Sequence, residues 1–133
     1  MAVRIDGKAV ARKVREEVAQ KALRFREKYG RAPGLHVVLV GDDAASAVYV
    51  RNKETAALES NIAGEVHRLP AATSEADVLA LVRELNARDD VDGILVQFPV
   101  PAHISQARIV ETIDRRKDVD GLHAENAGLL WSG

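Results

Sequence analysis

The sequence predicts an α/β fold of three layers, with helices on both faces of a mostly parallel sheet. Two observations carry this expectation. Segments of helical and strand-like pattern alternate along the chain. Two of the strand-like segments, Leu35-His36-Val37-Val38-Leu39-Val40 and Ile94-Leu95-Val96-Gln97, are short apolar runs of the kind buried on both faces of a sheet. A length of 133 residues suits one domain with a real core, so residues 1–133 read as a single domain with three or four strands.

The elements follow in order. From Gly7 to Lys28, Val10, Val14, Val18, Ala22 and Phe25 recur every three or four residues between charged ones, the mark of an amphipathic helix. Gly30, Pro33 and Gly34 stop it. After the strand Leu35 to Val40, Gly41-Asp42-Asp43 forms a turn, and Ala44 to Ser60 reads as a second helix whose Val48, Ala56 and Leu58 are placed to face the sheet. Ile62 to Leu69 is a more polar strand, suited to a sheet edge. Thr73 or Ser74 can cap a third helix with Val78, Leu79, Val82 and Leu85 on its apolar face. Asp92-Gly93 leads into the strand Ile94 to Gln97, which Pro99 and Pro101 end, because proline cannot donate to a ladder. Ser105 to Ile113 reads as a short helix, and Asp114 to Gly133 as loop.

Composition narrows the function. Hydrophobic residues make up 47% and charged residues 29%, and 19 Lys+Arg balance 20 Asp+Glu. That balance argues against nucleic acid or an anionic membrane as partner. No run approaches the roughly 20 apolar residues of a membrane span, and Met1 to Asp6 lacks the apolar core of a secretory signal. With no cysteine there is neither a disulfide nor a thiolate metal site, which suits a reducing compartment and a cytoplasmic location.

In a parallel sheet covered on both faces, ligands gather outside the carboxyl ends of the strands. Three polar groups follow strand ends: the Asp42 to Lys53 segment, Gln97, and the Asp118 to Asn126 loop. Ser46, Tyr49 and Lys53 are three and four residues apart, on one side of the second helix. A lysine whose charged form is disfavoured can move protons there. Spacing alone equally describes an exposed lysine beside a partly buried tyrosine, the commoner case. Gln97 ends an otherwise apolar strand, where its amide needs partners, either a ligand or a loop backbone. Asp118 and Asp120 lie two apart before Gly121, so one can cap a turn while the other faces the cleft. The four histidines, His36, His67, His103 and His123, show no metal-ligand spacing, and His36 reads as a packed strand residue. There is no G-x-G-x-x-G, no Walker motif and no G-x-S-x-G.

Three blocks together resemble one family. Gly41-Asp42-Asp43-Ala44-Ala45-Ser46-Ala47-Val48-Tyr49-Val50-Arg51-Asn52-Lys53 is similar to the first signature of the tetrahydrofolate dehydrogenase/cyclohydrolase family. Gly93-Ile94-Leu95-Val96-Gln97-Phe98-Pro99-Val100-Pro101 resembles its strand-end motif, and Lys117-Asp118-Val119-Asp120-Gly121-Leu122 with Asn126 and Gly128 its third block. The resemblance implies that Lys53 is the catalytic residue and that Gln97 holds and tunes it, an amide being able to accept from an ammonium or donate to an amine. It implies that Tyr49, counted with the catalytic set, stacks on the aminobenzoate ring of a tetrahydrofolate derivative. Asp120 would bind the amino-pyrimidine edge of the pterin, and Ser46 a smaller polar part of the substrate.

The implied reactions belong to one-carbon metabolism: oxidation of methylene-tetrahydrofolate with NADP or NAD, then hydrolysis of the methenyl product to formyl-tetrahydrofolate. No metal is implied. The resemblance stops before the family's Rossmann-type NAD(P) domain, so no cofactor-binding residue is expected here and the absent nucleotide-binding domain becomes an expected partner. An apolar face left uncovered would favour a homodimer. Other readings are a folate-binding module or pseudoenzyme, and an interaction domain without turnover. Thr55, Ala44, Asn61, Arg115 and Arg116 depart from the family pattern; Asn61 replaces a frequent glycine and tolerates the same left-handed conformation, and the departures together are expected to leave the chemistry intact while loosening the loops around it.

Overall fold

The computed structural model describes residues 1–133. Its elements are helix α1 (Gly7–Tyr29), strand β1 (Gly34–Val40), helix α2 (Ala44–Glu59), strand β2 (Ala63–Leu69), helix α3 (Glu75–Ala87), strand β3 (Gly93–Gln97), and helices α4 (Gln106–Thr112) and α5 (Ala124–Ser132). The sheet is parallel, in the order β2-β1-β3. The chain steps from β1 to one neighbour through α2 and then crosses to the other side of β1 for β3. That reversal leaves a crevice at the carboxyl ends of β1 and β3, where sheets of this kind take ligands.

Strand alternation divides the core. Val38, Val40, Ile94 and Val96 point to one face, where Val78, Val82 and Leu85 of α3 meet Ile104, Ile109 and Ile113 around α4. Val37, Leu39 and Leu95 point to the other and pack on Val50 of α2. Helices thus cover both faces, as the two-sided apolar strands require. No helix is long and apolar enough to cross a membrane.

Local chemistry sets the boundaries. Asp6 caps α1, its carboxylate accepting from the Lys8 and Ala9 N–H groups, and Gly30 closes the helix at φ 71°. Ser74, not Thr73, caps α3 by accepting from the Asp77 N–H at 3.1 Å; Thr73 donates its hydroxyl to the Pro70 carbonyl. Asn61 takes the left-handed conformation, φ 59°, in the turn between α2 and β2. Asp92 ties the starts of β1 and β3: its carboxylate receives Arg31 at 2.6 and 3.0 Å and the Gly34 N–H at 2.8 Å. The segment after α4 joins the edge of β3, where the Ile94 N–H donates to the Lys117 carbonyl at 2.7 Å.

Three expectations are corrected. In α2, Val48 and Leu58 face solvent, Leu58 at 73% exposure, and the buried residues are Ser46 and Val50. Aliphatic residues lie all around this alanine-rich helix, so periodicity did not single out a face. In α1, Val10 and Val14 are exposed and only Ala22 is buried, because the helix packs chiefly against α2. Residues 124–132 are not loop but helix α5, capped by the His123 ring accepting from the Glu125 N–H. Glu125 in the first turn complements the helix dipole, and Gly128 sits inside the helix.

The division of faces is testable by denaturation. Leu85→Ala removes a fully buried side chain and should cost about 2–5 kcal/mol, whereas Leu58→Ala should stay within about 0.5 kcal/mol. A large loss at position 58 in urea titrations would mean that α2 docks with another face.

Candidate active site

Gly41 turns the chain out of β1 at φ 91°, a conformation that side chains rarely adopt, and its N–H donates to the Leu69 carbonyl at the end of β2. Asp43 then caps α2, accepting from the Ser46 N–H at 2.7 Å. The Ser46 hydroxyl, followed by that N–H, holds the Asp43 carboxyl below its ordinary value, against a smaller opposing effect of burial. From this anchor an inward stripe runs along α2 through Ser46, Val50, Lys53 and Ala57, at helical spacings of four, three and four. The first two are buried and Lys53 is half-buried, its stem beside a groove between α2 and β2.

Lys53 Nζ donates to Gln97 Oε1 at 2.9 Å. Gln97 ends β3 opposite Leu39, on the α2 side of the sheet. Its Nε2 donates to the Phe98 carbonyl at 2.9 Å, which leaves the amide oxygen turned to the lysine. Of the predicted residues, Lys53 and Gln97 are therefore in direct contact. Tyr49 lies on α2 one turn before Lys53 and is 61% exposed, its ring accessible to a ligand. Ser46 shares the inward stripe and is buried, its backbone N–H bonded to Asp43. Asp120 is exposed on the loop beyond β3.

That loop is organised by Asp118. Its carboxylate accepts from the Gly121 N–H at 3.1 Å, the His123 N–H at 2.9 Å and Asn126 Nδ2 at 2.9 Å. The turn role therefore falls to Asp118, and Asp120 is left free to face outward. Burial works to raise the Asp118 carboxyl, but hydrogen bonds from Asn126 and from the backbone of His123, Leu122 and Gly121 together hold it below its ordinary value. Asn126 also donates to the Arg115 carbonyl at 2.8 Å. Arg115 pairs with Glu125 and Arg116 with Asp114, so both arginines are engaged in ion pairs.

Sequence reasoning missed Lys117. Its ammonium donates to the carbonyls of Leu85, Asn86 and Arg88 at 3.3, 2.8 and 2.7 Å, completing the carboxyl end of α3 and fixing the root of the Asp118 loop. The available signal was its place immediately before Asp118-Val119-Asp120-Gly121. His36 and His67, separated by 31 positions, are also brought together, with Nδ1 and Nε2 2.9 Å apart.

Known proteins resemble the chain over nearly its whole length. Residues 5–120 match the family described as tetrahydrofolate dehydrogenase/cyclohydrolase, catalytic domain. The bifunctional protein FolD of Sorangium cellulosum is 55% identical over 129 residues, covering 97% of this chain and 45% of the relative. The crystal structure of the bifunctional FolD methylenetetrahydrofolate dehydrogenase/cyclohydrolase from Campylobacter jejuni is 43% identical, with a TM-score of 0.89 over 94% of this chain and 44% of that one. The Trypanosoma brucei dehydrogenase-cyclohydrolase complexed with NADP cofactor and inhibitor is 34% identical, with a TM-score of 0.91 over 97% and 44%. The chain thus spans less than half the length of these relatives.

The Asp118 network predicts a pH signature. A carboxyl held below its ordinary value stabilises the fold fully above that value, and the contribution is lost as pH falls through the folded value. Asp118→Asn should cost about 1 kcal/mol at pH 7 for this half-exposed group, with the gap to the parent closing below about pH 4. Urea titrations at pH 7 and pH 3 measure it; a gap equal at both would exclude a carboxylate role.

Proposed function

Because the chain belongs to the tetrahydrofolate dehydrogenase/cyclohydrolase family, we propose that it supplies the folate-binding wall and catalytic lysine of a one-carbon enzyme. The reactions would be oxidation of methylene-tetrahydrofolate to the methenyl form with NADP or NAD, and hydrolysis of that form to formyl-tetrahydrofolate. The observation that carries this reading is the 2.9 Å contact between Lys53 and Gln97 at the carboxyl end of β3. In that reading Tyr49 offers its ring to the aminobenzoate and Asp120 its carboxylate to the pterin's amino-pyrimidine edge. Ser46, on the same stripe as Lys53, would offer its hydroxyl to a smaller polar part of the substrate.

These 133 residues contain no glycine-rich phosphate cradle of the kind that holds a dinucleotide's pyrophosphate. What the chain offers is chemistry on the folate side. In the hydrolysis, water adds to the methenyl carbon, a carbon–nitrogen bond breaks, and one proton leaves. In this reading Lys53 would take the proton from the attacking water, with Gln97 orienting its Nζ. A cytoplasmic setting belongs to the same proposal, since a cysteine-free chain suits a reducing compartment. The exposed Leu129, Leu130 and Trp131, the last at 93%, support the homodimer or contact with a further domain.

The test joins this chain to the carboxyl-terminal half of the Sorangium cellulosum relative and assays both reactions. Lys53→Met should lower hydrolysis by about 10²–10⁴-fold with folate affinity little changed. Asp120→Ala should weaken folate binding by roughly tenfold or more, the effect of losing a charge-assisted hydrogen-bond pair. Folate binding with turnover indifferent to Lys53→Met would favour a binding module over the enzyme. The unjoined chain should show no NAD(P)-dependent oxidation, because nothing in it would hold the nicotinamide against the folate.

A further inference from the structure

On the sheet face opposite Lys53 and Gln97, toward the amino end of the strands, lies a second group of chemically capable residues. The parallel register pairs His36 of β1 with Glu65 of β2, and Val38 with His67. His36, Glu65 and His67 therefore project from the same face, the one that carries Val38 and Val40. One ligand atom from each lies within 4.8 Å of the others, and His36 Nδ1 and His67 Nε2 are 2.9 Å apart. We infer that His36, Glu65 and His67 form a binding site for a divalent transition-metal ion of the zinc, cobalt or nickel type.

The geometry suits such an ion. Two ligand atoms about 2.0–2.1 Å from one metal stand roughly 3 Å apart, close to the spacing these nitrogens already have. Two imidazoles and one carboxylate favour borderline metals over calcium or magnesium, which take oxygen donors. This is also the donor set that zinc uses with a fourth position left to water. Without metal, one ring must donate to the other; metal binding replaces that hydrogen bond, and the donating ring changes tautomer, its hydrogen moving to the far nitrogen.

The surroundings favour the ligand state. His36 is 4% exposed, so its ring is held in place by the packing of the sheet face. Arg88, the nearby cation, is neutralised by Asp90 through bonds of 3.0 and 2.7 Å. Glu65 is exposed and reaches the group from solvent, and a hollow lined by His36, Glu65, Arg88 and Asp90 provides the entry path. Sequence spacing does not reveal the site, because two adjacent parallel strands build it.

The test is titration of the purified chain with zinc chloride and, for a spectrum, cobalt chloride at pH 7.5. Binding of one equivalent is expected, with cobalt giving the intense visible bands of a four- or five-coordinate ion. Nitrogen-15 shifts should move at His36 Nδ1 and His67 Nε2. Losing a metal's outer-shell partner costs ~10–100-fold, so His67→Ala, which removes a direct ligand, should cost at least about a hundredfold. Glu65→Gln, at an exposed position and kept as the variant least able to disturb folding, should weaken binding clearly, and His103→Ala should leave it unchanged. Absence of binding at submillimolar metal, or equal affinity in Glu65→Gln and His67→Ala, overturns the assignment.

Discussion

The central strand constrains everything around it. With β2 and β3 on its two sides and helices over both faces, β1 must be apolar from Val37 to Val40, and all four residues are buried. Polar groups can then appear only at the ends of the sheet or along its edges. At the carboxyl end, Gly41 and Asp43 turn the chain into α2, and Gln97 stands one strand away. At the amino end, His36 is the one polar side chain of β1, and it finds its partners on the edge strand β2. The division of the surface between the Lys53–Gln97 contact and the histidine pair follows from that strand being unable to carry either in its middle.

The elements beyond the sheet are fastened at few points, each by a charged group meeting backbone. Asp92 holds the starts of β1 and β3 with Arg31, Lys117 closes the carboxyl end of α3, and Asp118 folds the loop that ends in α5. Glu75 does the same for α4, accepting the Ser105 N–H and Arg108, both at 2.7 Å. Burial opposes the charge of Asp92, yet the Arg31 bonds first and the Gly34 N–H after them keep its carboxyl below the ordinary value. Such groups stabilise less by Coulomb attraction in water than by satisfying backbone groups that folding has removed from it.

What the sequence revealed follows the same division. Strands β1 and β3 were legible because two-sided burial leaves an unbroken apolar run, and the Lys53 and Gln97 segments because each follows such a strand. The docking face of α2 was not legible. Its buried stripe contains Ser46 and Lys53, which a hydrophobic pattern passes over, while Val48 and Leu58 mimic a buried face and lie in solvent. Helix α5 buries no residue, so it has no apolar stripe to detect, and Gly128 disguised it further. The contact between His36 and His67 depends on register between strands, which no spacing along one segment encodes.

The contact between Lys53 and Gln97 owes its precision to parts that take no part in chemistry. Lys53 sits three residues after Val50 and seven after Ser46, so it points at the sheet because those two are already locked there. Val50 packs on Val37, Leu39 and Leu95, and Leu39 is the residue opposite Gln97 in the ladder. One apolar cluster therefore sets both the rotation of α2 and the height of the amide that meets it. Rotating α2 by one residue, about 100°, would turn Lys53 away from the sheet altogether. The lysine and its amide are thus held together by the packing of the fold itself, a preorganisation on which the proposed chemistry would draw.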